Sequence, residues 1–317
     1  MKILALSSVE VSVVITVLNE EKNISALLNA LARQTKRPNE IVIVDGGSSD
    51  QTVSNIKDLI SSIKNLNIKL FISSGNRSVG RNHGVSKSSH EWIAFTDAGC
   101  VPDRDWLQKL KEAQVHSQSD VIAGYYYGLS KTNFQEAVVP YVLVMPDRVN
   151  KNNFLPATRS MLIKKSLFKK IAAFDERLSD NEDYELARRI KNAKCKIFFT
   201  KKAKVAWIPV KNLKEFIIMI FRFARGDAKA RILRPKVLLI YFRYLLLAIF
   251  SIYLFWNLRF NIWNLFSVWI LLFGIYALWS IVKNKKYVER AWYYLPVLQV
   301  SSDLAVMIGS IVGIFSF

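Results

Sequence analysis

Three long stretches at the end of this 317-residue chain carry almost no charge: VLLIYFRYLLLAIFSIYLFW (237–256), IWNLFSVWILLFGIYALWSIV (262–282) and WYYLPVLQVSSDLAVMIGSIVGIFSF (292–317). A helix needs about 20 apolar residues to cross the hydrocarbon core of a bilayer, and each stretch meets that length. Buried helices of a soluble domain would be shorter and more often interrupted by charge. The pattern predicts a membrane domain over 237–317 with about three transmembrane helices. Arg243 and Asp303 interrupt it, and charges inside a bilayer face partners or a polar cavity.

The basic residues orient these spans. Lys229, Arg231, Arg234 and Lys236 precede the first span, and Lys283, Lys285, Lys286 and Arg290 lie between the second and third. Only Arg259 falls between the first and second. Lys and Arg mark the cytoplasmic side, so the part before the spans is expected in the cytosol. The N-terminal MKILALSSVEVSV lacks an apolar core long enough for a secretion signal, which agrees. The chain holds 45 Lys+Arg against 25 Asp+Glu, a formal charge of +20. Such an excess suits nucleic acid or an anionic membrane surface. With no zinc-finger spacing, basic heptad helix or Arg-rich tail, the membrane is the expected partner and nucleic acid is not. Cys100 and Cys195 are read as isolated thiols in a reducing compartment.

Before residue 210 the pattern changes. VSVVITVL (11–18) and EIVIVD (40–45) are β-branched runs of the kind buried on both faces of a parallel sheet. IKLFIS (68–73), EWIAFTD (91–97) and DVIAGYYYG (120–128) are the next strands. Helical spacing lies between them: Ile24, Leu27, Leu28 and Leu31 behind a capping Asn23; Val53, Ile56 and Ile60; Trp106, Leu107, Leu110 and Ala113 behind Pro102. Alternating strands and helices predict an α/β fold with a mostly parallel sheet covered on both faces. Ligands bind such sheets at the carboxyl ends of the strands. Asn19 and Glu20 follow the first strand, Asp45 the second and Asp97 the fourth, so the three polar groups share one rim. An acidic rim accepts hydrogen bonds from a nucleoside but repels a diphosphate unless a divalent cation intervenes. SSGNRSVGRNHG (73–84) reads either as a flexible surface loop or as a loop bringing Arg77 and Arg81 to an anion, its glycines allowing close approach. The first strand is not followed by Gly-x-Gly-x-x-Gly, which argues against a dinucleotide enzyme.

VSVVITVLNEEKNISALLNALARQT, EIVIVDGGSSDQT, GRNHGV, FTDAGCVPDRDWL and DNEDYELARRI with KIFFTKKAKVAWIP resemble, in order and spacing, the motifs of glycosyltransferase family 2 over roughly residues 10 to 235. The resemblance implies the GT-A fold and inverting transfer of a sugar from a nucleotide diphosphate. It implies that Glu20 and Asp45 hold the nucleoside, that Arg81 and Asn82 lie near the donor, and that Asp97 meets a metal–diphosphate, with Mg²⁺ or Mn²⁺ as the cofactor. For Asp45 a turn-capping role is the alternative. Many members carry Asp-x-Asp where this chain reads Asp97-Ala98-Gly99. Mg²⁺ tolerates a single protein carboxylate, since it keeps waters and takes phosphate oxygens. Asp103 is expected to cap the helix after Pro102.

DNEDYELARRI (180–190) begins a helix, and two readings stand. Asp180 and Asp183 suit a cap and the helix dipole. The family motif instead makes Asp183 the general base, with Glu182 orienting it or touching the acceptor. FRFARGDAKARILRP (221–235) is basic and amphipathic. Its Arg222 and Arg225 would reach a departing diphosphate or a lipid phosphate, or else meet headgroups as an interfacial helix does. Gly226 follows Arg225 where processive members carry Trp, which favours transfer of a single sugar.

The expectation is therefore a GT-A domain over 1–210, an amphipathic basic segment over 211–236 and the membrane domain over 237–317. It would transfer a sugar from a nucleotide sugar to a membrane-bound acceptor, a polyprenyl phosphate or a lipid-linked saccharide, with Arg243 near that acceptor's phosphate. The alternative is a degenerate nucleotide-sugar-binding membrane protein that recruits a partner. A transporter would leave the first two-thirds of the chain unexplained.

Overall fold

The computed structural model describes residues 9–64, 66–257 and 262–316. Most of the N-terminal segment read for a signal, and Arg259, lie outside them. The chain divides into two compact units, residues 1–129 with 146–208 and residues 130–145 with 209–317.

The first unit is built on an eight-stranded mixed sheet. In chain order its elements are β1 (Val11–Val17), α1 (Ile24–Ala32), β2 (Glu40–Asp45), α2 (Thr52–Ser62), β3 (Ile68–Ile72), α3 (Arg77–Lys87), β4 (Trp92–Phe95) and β5 (Cys100–Pro102). α4 (Trp106–Ser117) and β6 (Val121–Gly128) follow. After α5 (Asn133–Val142), which belongs to the other unit, come β7 (Met161–Lys164), α6 (Lys165–Lys170), α7 (Glu182–Asn192) and β8 (Ile197–Trp207). The spatial order is β3-β2-β1-β4-β7-β6-β8-β5. β3, β2, β1 and β4 run parallel, so their carboxyl ends share one edge. β7 runs antiparallel to both β4 and β6, and β5 antiparallel to β8, while β6 and β8 are parallel. The β-branched runs fill β1 and β2, where Val13, Ile15, Ile41, Val42, Ile43 and Val44 are fully buried. That is the burial expected of strands covered by helices on both faces.

The structure corrects several local expectations. Residues 77–84 are not a loop: they are helical, and Gly80 and Gly84 face the sheet. A Cβ at Gly84 would stand 2.6 Å from Val14 Cγ1, and one at Gly80 2.9 Å from Thr16 Cγ2. The glycines therefore seat α3 on β1 and β2 rather than admit an anion. Pro102 closes β5 instead of opening a helix, and Asp105 holds the N-cap position of α4. Asp103 accepts from the Tyr127 hydroxyl at 2.9 Å. Asn23 occupies the N-cap position of α1, but its amide donates to Glu20 at 2.8 Å and makes no cap bond. Asn181, not Asp180, precedes α7, in the left-handed region at φ 57°, which Asn tolerates better than most residues.

The second unit holds α5, α8 (Leu213–Lys229), α9 (Pro235–Asn257), α10 (Ile262–Asn284) and α11 (Leu295–Phe315). Residues 130–145 join it through Gln135, which donates to Pro209 O at 2.7 Å, and Tyr141, which donates to Leu295 O at 2.7 Å. Three of its segments, Pro235–Trp256, Phe266–Tyr287 and Trp292–Phe315, are long and apolar enough to cross a membrane. α8 lies directly against α11: a Cβ on Gly309 would meet Phe221 O at 2.5 Å, and one on Gly313 would meet Arg225 O at 2.5 Å. Small residues four apart let two helix backbones approach this closely. Asp303, 1% exposed, accepts from Arg243 at 2.7 Å, from Gln299 at 3.0 Å, and from Tyr276 and Tyr244. Arg243, Tyr276 and Asp303 each lie roughly 12 Å from the basic-flanked end of their helix, at 1.5 Å per residue. One carboxylate thus collects donors from all three long helices at one depth, which satisfies the charge that interrupts the apolar pattern.

Candidate active site

The parallel edge is fixed before any ligand arrives. Asn19, at φ 55°, turns the chain after β1. Its backbone N–H donates to Ser48 Oγ at 2.8 Å, and its side-chain oxygen accepts from Ser49 N at 2.9 Å. Glu20 N donates to Thr52 Oγ1 at 2.7 Å, and Glu21 N to Asp50 at 3.2 Å. The loops after β1 and β2 are laced together, so Glu20 and the turn after Asp45 move as one body.

Asp45 is 1% exposed. Its Oδ2 accepts from Gly47 N and Ser48 N, both at 2.9 Å, and its Oδ1 from Ser48 Oγ at 2.5 Å. The carboxylate is spent on its own turn and fixes the shape of residues 46–48. Glu20 is half-buried beside it. Burial pushes its carboxyl up, Asn23 partly offsets that, and the negative charge of Asp97 adds to the rise.

Arg81 is the hub. It lies on α3 with its side chain 4% exposed, donates to Asp97 Oδ1 at 2.8 Å, and pairs with Glu182 at the start of α7. Its guanidinium lies 5.4 Å from the centre of the Phe174 ring. Burial opposes its charge, but Glu182, Asp97 and Asp183 outweigh that and hold its pKa above the ordinary arginine value. Asp97 is opposed by burial and favoured by Arg81, Arg159 and Arg77, so its carboxyl sits below the usual range and is ionised at neutral pH. Glu182, with its side chain 3% exposed, is pushed up by burial, and Arg81 offsets this only in part. Its Oε2 is buried with no hydrogen-bond partner among the described residues. Asp183 is half-buried, its Oδ1 accepting from Tyr184 N at 2.8 Å. Three further carboxylates (Glu20, Glu182 and Asp183) thus lie within electrostatic reach of the Arg81–Asp97 pair.

Asn82 has a different task. Its amide donates to Phe174 O and Glu176 Oε1 at 2.9 Å and accepts from Phe174 N at 3.0 Å. Asn76 donates to Glu176 O and caps α3, and Ser78 donates to Leu178 O at 2.6 Å. These bonds tie α3 to the segment leading into α7 and so bring Arg81 and Glu182 together. The sequence named Asn82 as a donor contact, and its polar atoms are committed to this bracket. Arg222 and Arg225 lie on α8 in the second unit, Arg222 exposed and Arg225 over the Phe221 ring at 5.8 Å.

One residue of the site was not read from the sequence. Arg159, just before β7, stands 5.4 Å from the ring centres of both Tyr126 and Trp207. No motif flanked it; its only signal was a cation between apolar runs. At Gly99 a Cβ would find nothing within 4 Å, so the place of a second carboxylate is open space.

The site thus combines a Rossmann-like sheet, laced loops after β1 and β2, one ionised aspartate after β4 and an acidic pair opening a helix. The sequence model described as Glycosyl transferase family 2 matches residues 12–172, just over half of the chain, and the chain belongs to that family. It is similar to glycosyltransferase AglE of Haloferax volcanii, 25% identical over 222 residues that make up 68% of this chain and 72% of the relative. It is also similar to succinoglycan biosynthesis protein ExoA of Rhizobium meliloti, 26% identical over 240 residues, 71% of each. The fold matches that of S. aureus TarS 1-349 in complex with UDP-GlcNAc, with a TM-score of 0.52 at 18% identity over 95% of this chain and 90% of that one. The fold is GT-A, and the chain is a nucleotide-sugar-dependent glycosyltransferase.

Enzymes of this family generally use a divalent cation. Among the described residues no three His, Cys, Asp or Glu side chains converge as a metal cage. Asp97 Oδ1 is taken by Arg81, while Oδ2 carries only a long contact from Thr158 at 3.5 Å. One available carboxylate oxygen fits a hydrated cation held mainly by the substrate's own phosphates, as Mg²⁺ accepts. It does not fit a dedicated protein site. Cys100 beside it is buried, and burial pushes its thiol well above the ordinary value, so it offers no thiolate.

Proposed function

We propose that this protein is a membrane-anchored, inverting transferase that moves a single sugar from a nucleotide diphosphate to a membrane-bound acceptor, a polyprenyl phosphate or lipid-linked saccharide, at the cytoplasmic face. Residues 1–210 would form the transfer domain, 211–236 a basic interfacial segment and 237–317 the anchor. The reading rests above all on Asp183: a half-buried carboxylate at the rigid start of α7, beside a Glu182–Arg81–Asp97 cluster that leaves it as the more accessible acid of the pair.

In the reaction the acceptor hydroxyl oxygen forms a bond to the anomeric carbon. Its proton passes to the Asp183 carboxylate, and the bond to the diphosphate breaks with its electron pair leaving on the diphosphate oxygen. Attack from the face opposite the leaving group inverts the centre. Glu182, buried and locked by Arg81, orients Asp183 beside it at the start of α7. Asp97 would meet a bound Mg²⁺ or Mn²⁺, which would supply neutralisation of the diphosphate. The loop turned by Asp45 and the flank of Glu20 hold the nucleoside. An ionised lipid phosphate acceptor needs no base, and Asp183 then positions it. Three apolar helices and their basic flanks support the anchor and its orientation, and UDP-GlcNAc in TarS supports a nucleotide-sugar donor.

The test is Asp183→Asn. Transfer to a hydroxyl acceptor is expected to fall by about 10²–10⁴, with nucleotide diphosphate binding retained. Wild-type turnover by that variant removes the base assignment.

A further inference from the structure

Arg159 is a cation of the site that the chemistry above leaves unused. No hydrogen bond or ion pair is made by its guanidinium among the described residues, although it is half-buried. Its position is fixed from below. Ser160, fully buried, accepts from Trp106 Nε1 at 2.8 Å and donates to Ala203 O at 3.3 Å. Ser160 O accepts from Gly124 N at 2.8 Å, and Ser160 N donates to Ala157 O at 3.0 Å. The guanidinium lies over the rings of Tyr126 and Trp207, each ring centre 5.4 Å away. Stacked arginines keep their in-plane donors free while losing rotamer freedom. Trp207 pairs with Cys100 across β5 and β8, and Gly99 O accepts from Ile208 N at 3.2 Å. Arg159 therefore stands within electrostatic reach of Asp97 and Cys100, the residues on either side of Ala98 and the open position 99. Burial works against its charge, and its neighbours Tyr126, Cys100, Asp97 and Asp183 together outweigh that.

We propose that Arg159 grips the donor's diphosphate through its unspent donors, carrying part of the neutralisation that a firmly anchored cation would carry if position 99 held a second acid. This rests on the reading of the parallel edge as the donor site. It makes a chain with one metal-facing carboxylate competent by dividing the diphosphate's charge between a loosely held cation and a pre-set guanidinium. The departing oxygen's electron pair stays on the diphosphate, so no proton or redox partner is required.

The experiment is calorimetric titration of the full chain in detergent with UDP, GDP, UMP and GMP, in chelator and then with Mg²⁺, for wild type, Arg159→Gln and Arg159→Lys. In chelator, Arg159→Gln is expected to lose about 10- to 100-fold in diphosphate affinity, the size of a lost charge-assisted contact, and to leave the monophosphate unchanged. Unchanged monophosphate binding also reports an intact fold. Arg159→Lys is expected to fall between the two, keeping charge but losing the fork. A diphosphate-to-monophosphate ratio equal to wild type in both variants overturns the inference and leaves the donor site standing. The same ratio with only acceptor KM raised overturns it in favour of an acceptor contact. Failure of wild type to bind either diphosphate overturns the donor-site reading as well.

Discussion

Replacing Arg81 with Met keeps the apolar stem and removes the charge that joins α3, Asp97 and α7. The side chains of Arg81 and Glu182 are 4% and 3% exposed, and Asp97 retains 30%. Water therefore replaces the lost partner at Asp97 but not at Glu182. Removing one member of a buried pair costs about 3–5 kcal/mol, a large part of the roughly 5–15 kcal/mol that holds a domain folded. The second substitution, Glu182→Gln, removes the stranded charge, so Arg81→Met/Glu182→Gln should recover much of the loss. pH gives an independent sign. Glu182 already has a carboxyl raised by burial, and Arg81 is the main group lowering it. Without Arg81 it rises further above its unfolded value. The penalty of the single variant is then full at neutral pH and shrinks as pH falls through that folded value, because the folded state takes up the proton first. The assay is unfolding of the full chain in detergent, followed by tryptophan fluorescence from pH 8 to pH 5. A loss under about 1 kcal/mol, or one that is the same at both ends of that range, would refute the argument that the pair is shut off from water.

Gly99→Asp has room for its side chain, and it should fold normally and lower the Mg²⁺ or Mn²⁺ concentration for half-maximal transfer; an unchanged metal titration argues that Asp97 does not face the cation. Gly313→Val drives a branched side chain toward Arg225 O and Ala228 Cβ, so it should cost about 1–3 kcal/mol and open the α8–α11 contact to proteolysis in detergent. Asp303→Leu leaves Arg243, Tyr276 and Gln299 without their shared acceptor; a lowered thermal transition in detergent is expected, and an unchanged one would mean the cluster contributes nothing. Asn76→Ala removes both the α3 cap and the bond to Glu176 O, for about 1 kcal/mol and a transfer rate reduced more than diphosphate affinity.

The sequence made the parallel half of the sheet legible because β1 and β2 are unbroken β-branched runs, and only a doubly covered strand tolerates those. It did not show that β7 would enter between β4 and β6: Met161–Lys164 is four residues long, and its pairing depends on partners far along the chain. Arg81, Asp97 and Glu182 were legible as motif members, but their convergence was not, because it is made by Asn76, Ser78 and Asn82 reaching residues about a hundred positions away. The helix caps were misread at Asp103 and Asp180 because an aspartate near a helix start matches a cap whether or not its side chain turns inward. Gly80 and Gly84 were misread for a related reason: glycine signals close approach without saying to what. Arg159 carried no local pattern at all, since its meaning comes from Tyr126 and Trp207 on other strands.

The Arg81 junction also sets a schedule for the growing polypeptide. Asp97 follows its arginine closely from the ribosome, but Glu182, the second carboxylate on that arginine, is 85 positions later, on the order of ten seconds at ordinary rates of synthesis. Through that interval the loops after β1 and β2 have been made while Glu182 and Asp183 have not. The acidic pair is thus withheld until the last helix of the first unit has emerged, only a short run of chain before the apolar segments follow.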